Sequence, residues 1–94
     1  MSNDYPLVSI IIPTYNSSDY ITETLTKLEK QTYPNFEIVI VNDGSKDNTS
    51  SVLREYGLTH SRLIIINKEN GGVSSARNTG IRKAQGQFLS LIHI

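Results

Sequence analysis

Short apolar runs alternate along this chain with segments of helical period, and that alternation limits its fold more than any other feature. The first run is Val8-Ser9-Ile10-Ile11-Ile12, closed by Pro13. The second runs from Phe36 to Val41 and the third from Leu63 to Ile66. Each is short and rich in β-branched residues, which suits a strand buried on both faces. Between the first two, Ile21, Leu25 and Leu28 recur at i, i+4 and i+7 and make one apolar stripe of a helix. Ser17 and Ser18 offer it a cap, Asp19 favours its positive end, and Pro34 marks the break after it. Val52, Leu53 and Tyr56 predict a second, shorter helix stopped by Gly57. Val73, Ala76, Ile81 and Ala84 predict a third that stops at Gly86, and Phe88 begins a fourth strand. Strand, helix, strand, helix, strand, helix, strand is the order of a Rossmann-like α/β fold, a parallel sheet with alternating helices and right-handed crossovers.

Such sheets bind ligands at the carboxyl ends of their strands. The polar clusters after Ile12, Val41 and Ile66 therefore converge on one rim and carry the functional reading. In Pro13-Thr14-Tyr15-Asn16, the tyrosine suits stacking on a base and the threonine a hydrogen bond to base or ribose. The same residues also suit a plain turn in which Asn16 caps and Tyr15 packs. In Asn42-Asp43-Gly44-Ser45, Asp43 is placed to accept a hydrogen bond from the imide N–H of uracil, a donor that cytosine lacks. Turn chemistry explains the same residues equally well. Asp47 and Thr49 read as caps or turn residues of the second helix. In Asn67 through Gly80, Gly71 and Gly72 permit close backbone approach, and a helix start favours an anion. Arg77 is within reach of a base carbonyl or a phosphate there, or is a surface arginine. The segment matches neither the phosphate loop of nucleotide triphosphatases nor the spaced-glycine dinucleotide fingerprint.

Composition narrows the alternatives. Nine basic residues balance nine acidic ones over 94 residues, so no clustered basic surface for nucleic acid is expected. No cysteine is present, which excludes thiolate metal sites and disulfides. His60 stands in a polar loop without a second histidine near it, so no metal site is expected from it. Glu23, Lys27 and Lys30 read as a solvated helix face. No apolar run approaches the roughly 20 residues of a membrane helix, and Met1–Asp4 does not open like a secretory leader. The default location is cytoplasmic, with membrane association left to the full-length protein. A chain this short buries roughly 60–65% of its unfolded surface, enough for one small domain.

Taken together the clusters are more specific than any one of them. Val8 to Asn16, then Gln31-Thr32-Tyr33-Pro34-Asn35-Phe36 through Ser45, then Asn70 through Gly80 with Ala76-Arg77-Asn78, follow the order and spacing of family-2 glycosyltransferases. The resemblance covers Pro6 to Phe88 and implies the amino-terminal half of a GT-A fold, so that 1–88 is a nucleotide-sugar-binding half. It also implies an enzyme that transfers a sugar from a nucleotide-diphosphate sugar, a UDP-sugar on the reading of Asp43, to an acceptor hydroxyl. By resemblance Pro13, Thr14, Tyr15 and Asp43 hold the nucleoside, with the aspartate on uracil, and Arg77 lies near the base or phosphates. A divalent metal, manganese or magnesium, is implied on the diphosphate of the full-length enzyme. Its paired-aspartate ligands and the catalytic base are absent after Gly86-Gln87-Phe88, so no catalytic or metal-binding residue is assigned. A polysaccharide or cell-wall role is the usual setting, and the acceptor is unread. A non-catalytic nucleotide-binding fragment, or a truncation product without activity, is the competing reading.

Leu89-Ser90-Leu91-Ile92-His93-Ile94 is a separate matter. Its composition suits a buried strand. It also resembles, residue for residue, one translated frame of a transposon-end adapter. On that resemblance 89–94 is expected to be a non-native tail, outside the functional argument.

Overall fold

The computed structural model describes residues 5–30, 33–60 and 62–92. Gln31, Thr32, His93, Ile94 and Met1–Asp4, all weighed above, lie outside them. In chain order the elements are β1 (Val8–Thr14), α1 (Ile21–Glu29), β2 (Phe36–Asp43), α2 (Thr49–Gly57), β3 (Leu63–Lys68), α3 (Val73–Lys83) and β4 (Phe88–Leu91). The strands form one sheet in the order β3-β2-β1-β4, and every pairing is parallel. The expected α/β class is therefore observed.

Side chains of a strand alternate between faces, and here the two faces receive different helices. Ile10, Ile12, Ile38 and Ile40 pack with Ile21 and Leu25 of α1 and Leu53 of α2 in one core. Ile11 and Val41 face the other way, toward α3, where a methyl at Gly80 would lie 2.5 Å from Ile11 Cγ2 and 3.1 Å from Val41 Cγ2. The helix sits close to the sheet because Ala76 and Gly80, one turn apart, present almost nothing to it; both are buried. This corrects the apolar set expected for α3. Val73 and Ile81 are exposed and Ala84 has left the helix, whereas the small pair carries the contact.

Strand ends and caps also differ from expectation. β1 runs on to Thr14 and β3 to Lys68, because register pairing with β2 continues through polar residues. Neither serine caps α1: no side chain caps that helix, and the N–H of Ile21 donates to the backbone carbonyl of Ser17 at 2.9 Å. Ser17 Oγ instead accepts from Thr14, and Ser18 donates to Asp47. Leu89–Leu91 do adopt a strand, paired in register with Ser9–Ile11, although Leu89 and Leu91 remain half exposed.

A buried polar network ties the sheet's far end to the α3–β4 turn. Glu37 Oε2 accepts from Ser9 Oγ at 2.6 Å and from the Gln85 N–H at 2.8 Å, and Ser9 Oγ in turn accepts from the Gly86 N–H. A Cβ at Gly86 would stand 2.6 Å from Ser9 Oγ, so the stop after α3 is a close approach that only glycine permits. Each buried polar atom of this network thereby finds a partner.

Candidate functional site

The chain passes from β1 to β2 to β3 in one direction, then crosses back to place β4 on the other side of β1. The strand order thus reverses at β1. In open parallel sheets the crevice outside the carboxyl ends at such a reversal is where ligands bind. Thr14 ends β1, Asp43 ends β2 and Lys68 ends β3, with Thr14 paired to Asn42 and Asp43 to Lys68. The rim expected from sequence is assembled.

Asp43 is its best-defined member. The residue is only 4% exposed. Its Oδ1 accepts from Lys68 Nζ and from the Gly71 N–H, each at 3.0 Å, and its Oδ2 accepts from the Gly72 N–H at 3.0 Å. Asn70 Nδ2 donates to its backbone carbonyl at 3.1 Å. Burial pushes the carboxyl up, but the Gly71 N–H, Lys68 and the Gly72 N–H together outweigh it and hold the group below its usual 3.8. Two glycines make this wrap possible. Gly44 has φ +71°, and a Cβ there would lie 2.6 Å from the Asn70 nitrogen. Gly72, at φ +95°, opens α3 from a conformation that L side chains rarely adopt.

The helix-start glycines therefore meet an anion, as expected of such a segment, but the anion is the chain's own Asp43. Sequence reasoning missed Lys68 as its partner. The signal was present in the register: once β2 and β3 are aligned through their polar ends, an acid and a base stand opposite each other.

The neighbouring loops are fixed by side chains. Thr14 is buried and donates from Oγ1 to Ser17 Oγ at 2.7 Å, so its hydroxyl faces inward. Pro13 precedes it within β1, buried as well. Asn16, at φ +51°, donates its N–H to Ser45 Oγ and accepts from the Lys46 N–H at 2.7 Å. It thus cross-links the loops after β1 and β2 rather than capping α1. Asn42 donates to Ser50 Oγ at 2.6 Å and to Asn67 Oδ1 at 3.0 Å, joining the end of β2 to α2 and to β3. Asp47 accepts from Thr49 and Ser18, and the Thr49 hydroxyl leads the interactions that lower it to about 2. The structural reading of Asp47 and Thr49 agrees with this geometry.

Tyr15 is 44% exposed just past β1, as a stacking platform requires. Arg77 lies half-buried in the second turn of α3, beside the buried Ala76. Among the described residues no hydrogen bond or ion pair engages its guanidinium. His60 stacks on Tyr56 at 3.9 Å and hydrogen-bonds the Tyr56 carbonyl through Nδ1, a local role. Lys27 pairs with Glu23 at 3.6 Å on an open helix face.

A cleft of about 290 Å³ opens between α2 and β3, lined by residues including Arg54, Leu58, Leu63 and Ile65. It lies on the flank of the sheet, not over Thr14, Asp43 and Arg77. The strand reversal, not this concavity, locates the candidate site. Among the described residues no group of three histidines, cysteines or acids is placed to hold a metal, so the implied metal finds no donor set there. No described helix is long and apolar enough to cross a membrane.

Residues 9–93 match glycosyl transferase family 2. The chain belongs to that family. It is 42% identical over 87 residues to the uncharacterized glycosyltransferase EpsJ of Bacillus subtilis (strain 168), covering 93% of the chain and 25% of that protein. It is similar in structure to the mannosyltransferase PcManGT of Pyrobaculum calidifontis in complex with GDP-Man and Mn2+. There the TM-score is 0.85 at 35% identity, over 93% of this chain and 27% of the other. TarS 1–349 of S. aureus in complex with UDP matches with TM-score 0.82 at 37% identity, over 92% and 26%. The curated relatives are longer: the chain spans between 12% and 26% of their length.

Proposed function

We propose that this family-2 chain is the donor-nucleotide-binding part of an enzyme that transfers a sugar from a uridine diphosphate sugar to an acceptor hydroxyl. The observation that carries the reading is Asp43, a buried carboxylate held ionised at the strand end beside the reversal of strand order. A carboxylate offers about four lone-pair positions, and three are taken by Lys68, Gly71 and Gly72. One acceptor position remains for a ring N–H.

The other rim residues complete a nucleotide. Tyr15 stacks on the base, Pro13 and Thr14 shape the floor beneath the nucleoside, and Arg77 meets the diphosphate. Two solved relatives support the class, being complexes of a GDP-sugar and of UDP. In the whole enzyme a divalent metal would neutralise the leaving diphosphate. Deprotonation of the acceptor hydroxyl falls to a base outside the described residues. Asp43 and Asp47 are engaged in the rim, and Glu37 is buried against Ser9.

Calorimetric titration of the chain with UDP, GDP and CDP tests the reading. UDP should bind most tightly. Asp43→Ala should weaken it by about 10- to 150-fold, the worth of one hydrogen bond to a charged group. Equal affinity for UDP and CDP in the unaltered chain overturns the assignment.

A further inference from the structure

Lys68 enters the reading above only as an occupant of Asp43, yet among the described residues it is the one side chain that hydrogen-bonds the carboxylate proposed to read the base. Its Nζ is 3.0 Å from Asp43 Oδ1 and donates also to the Glu69 carbonyl at 2.8 Å, so the ammonium is held from two sides. Its side chain is 19% exposed and that of Asp43 is 5% exposed, which places the pair under the rim rather than on the surface. Gly71 completes the clamp: its N–H shares Oδ1 with Lys68, and a Cβ on it would stand 2.9 Å from Nζ. Oδ1 thus has two donors and no vacancy. Oδ2 has a single donor, the Gly72 N–H.

We infer that Lys68 is a positioning residue for base recognition: with Gly71 it saturates Asp43 Oδ1 and leaves Oδ2 as the single acceptor for a ring N–H of the donor base. This rests on the nucleotide reading and narrows it to bases with a ring N–H on their pairing edge. Uracil and guanine have one; cytosine and adenine present a lone pair at that atom and are repelled by the carboxylate. An unclamped aspartate is free to rotate its carboxyl, and a buried one without its cation protonates more readily. Rotation displaces the fixed acceptor, and protonation turns it in part into a donor. Lys68 acts through Asp43 and has no contact with the phosphates in this arrangement.

The experiment compares Lys68→Met with the unaltered chain, titrating uridine and UDP by NMR over a range of acidic to neutral pH. Removing the ammonium should weaken uridine and UDP by the same factor, about tenfold for one charged hydrogen bond lost to the clamp. It should also move the acidic loss of binding to higher pH, because the carboxylate must be ionised to accept and Lys68 no longer holds its proton off. Gly71→Ala, whose methyl crowds Nζ while keeping the charge, should shift the acid limb in the same direction and serves if Lys68→Met does not fold. A loss confined to UDP, with uridine unaffected, would show Lys68 to be a phosphate ligand and overturn the inference. So would an unmoved pH profile in the folded variants. If the unaltered chain itself does not prefer UDP to CDP, the nucleotide reading fails first and the inference with it.

Discussion

Replacing Asp43 by asparagine is the most informative single change, because an amide keeps the shape of the side chain and reverses one of its two ends. Three donors converge on Asp43: Lys68 Nζ and the Gly71 N–H on Oδ1, and the Gly72 N–H on Oδ2. An asparagine can turn its oxygen toward Lys68 and Gly71 or toward Gly72, but not toward both. In the first orientation its NH₂ meets the Gly72 N–H, donor against donor, and faces the base with another donor. In the second, its NH₂ meets Lys68 Nζ and the Gly71 N–H, donor against donor, and in either orientation Lys68 loses its counter-charge. Gly71 and Gly72 are exposed, so their N–H groups rehydrate at small cost. Lys68 is largely covered, and its bond to a charged acceptor is worth about 1.5–3 kcal/mol. The expected destabilisation of Asp43→Asn is therefore about 2 kcal/mol, with Asp43→Ala similar. Urea denaturation followed by circular dichroism measures it from the shift in midpoint at constant slope. The dependence on pH gives a second reading. Asp43 is held below its usual value, so its contribution to stability is complete above 3.8 and is lost as pH falls through the lower folded value. The asparagine variant should lack that acidic decline. Equal stability of Asp43→Asn and the unaltered chain at neutral pH would refute the account of the clamp.

Other expectations follow from single observations. Gly80→Val should destabilise by about 1–3 kcal/mol, since its first added carbon already lies 2.5 Å from Ile11 Cγ2 and the branches go further; thermal unfolding checks it. Asp47→Ala should lower stability above about pH 4 and leave it unchanged near the acid end, because a carboxyl lowered to about 2 contributes only where the unfolded chain is ionised. A variant with the same loss at every pH would contradict that. The chain alone, incubated with manganese and UDP-sugars, should release no UDP above background, because Asp43 and Asp47 at its rim are engaged within the fold; acceptor-dependent turnover would show a catalytic base among the described acids.

Much of this architecture was legible because buried parallel strands write a loud signal. Val8–Ile12, Phe36–Val41 and Leu63–Ile66 are, but for Ser9 and Glu37, apolar on both faces. The polar ends of the same strands were harder. Register continues through Asn42-Asp43 and Asn67-Lys68 by backbone pairing and polar side-chain bonds, which hydrophobic pattern does not report. α3 shows the same gap in another form. Its contact with the sheet is made by Ala76 and Gly80, so the residues that fix its distance are those with least hydrophobic character. Val73 and Ile81, which suggest a buried stripe, are on the open side.

The candidate site divides along the same line. Asp43, Thr14 and Tyr15 were expected at the rim because topology alone puts strand ends there, and topology follows from the alternation of runs. What each side chain does once there depends on neighbours distant in sequence: Lys68 lies 25 positions from Asp43, and Ser45 meets Asn16 across 29. Serine, asparagine and aspartate are turn formers by local preference, and local preference made them look like caps. The structure turns Asn16 and Ser18 away from α1 to join the loop after β1 to the loop after β2, while Asp47 also bonds the start of α2. A rim whose loops are cross-linked in this way holds its acceptor atom still before any ligand arrives, and preorganisation of that kind lowers the ordering cost of binding. That is why the geometry around Asp43, and not the presence of an aspartate after a strand, carries the functional argument.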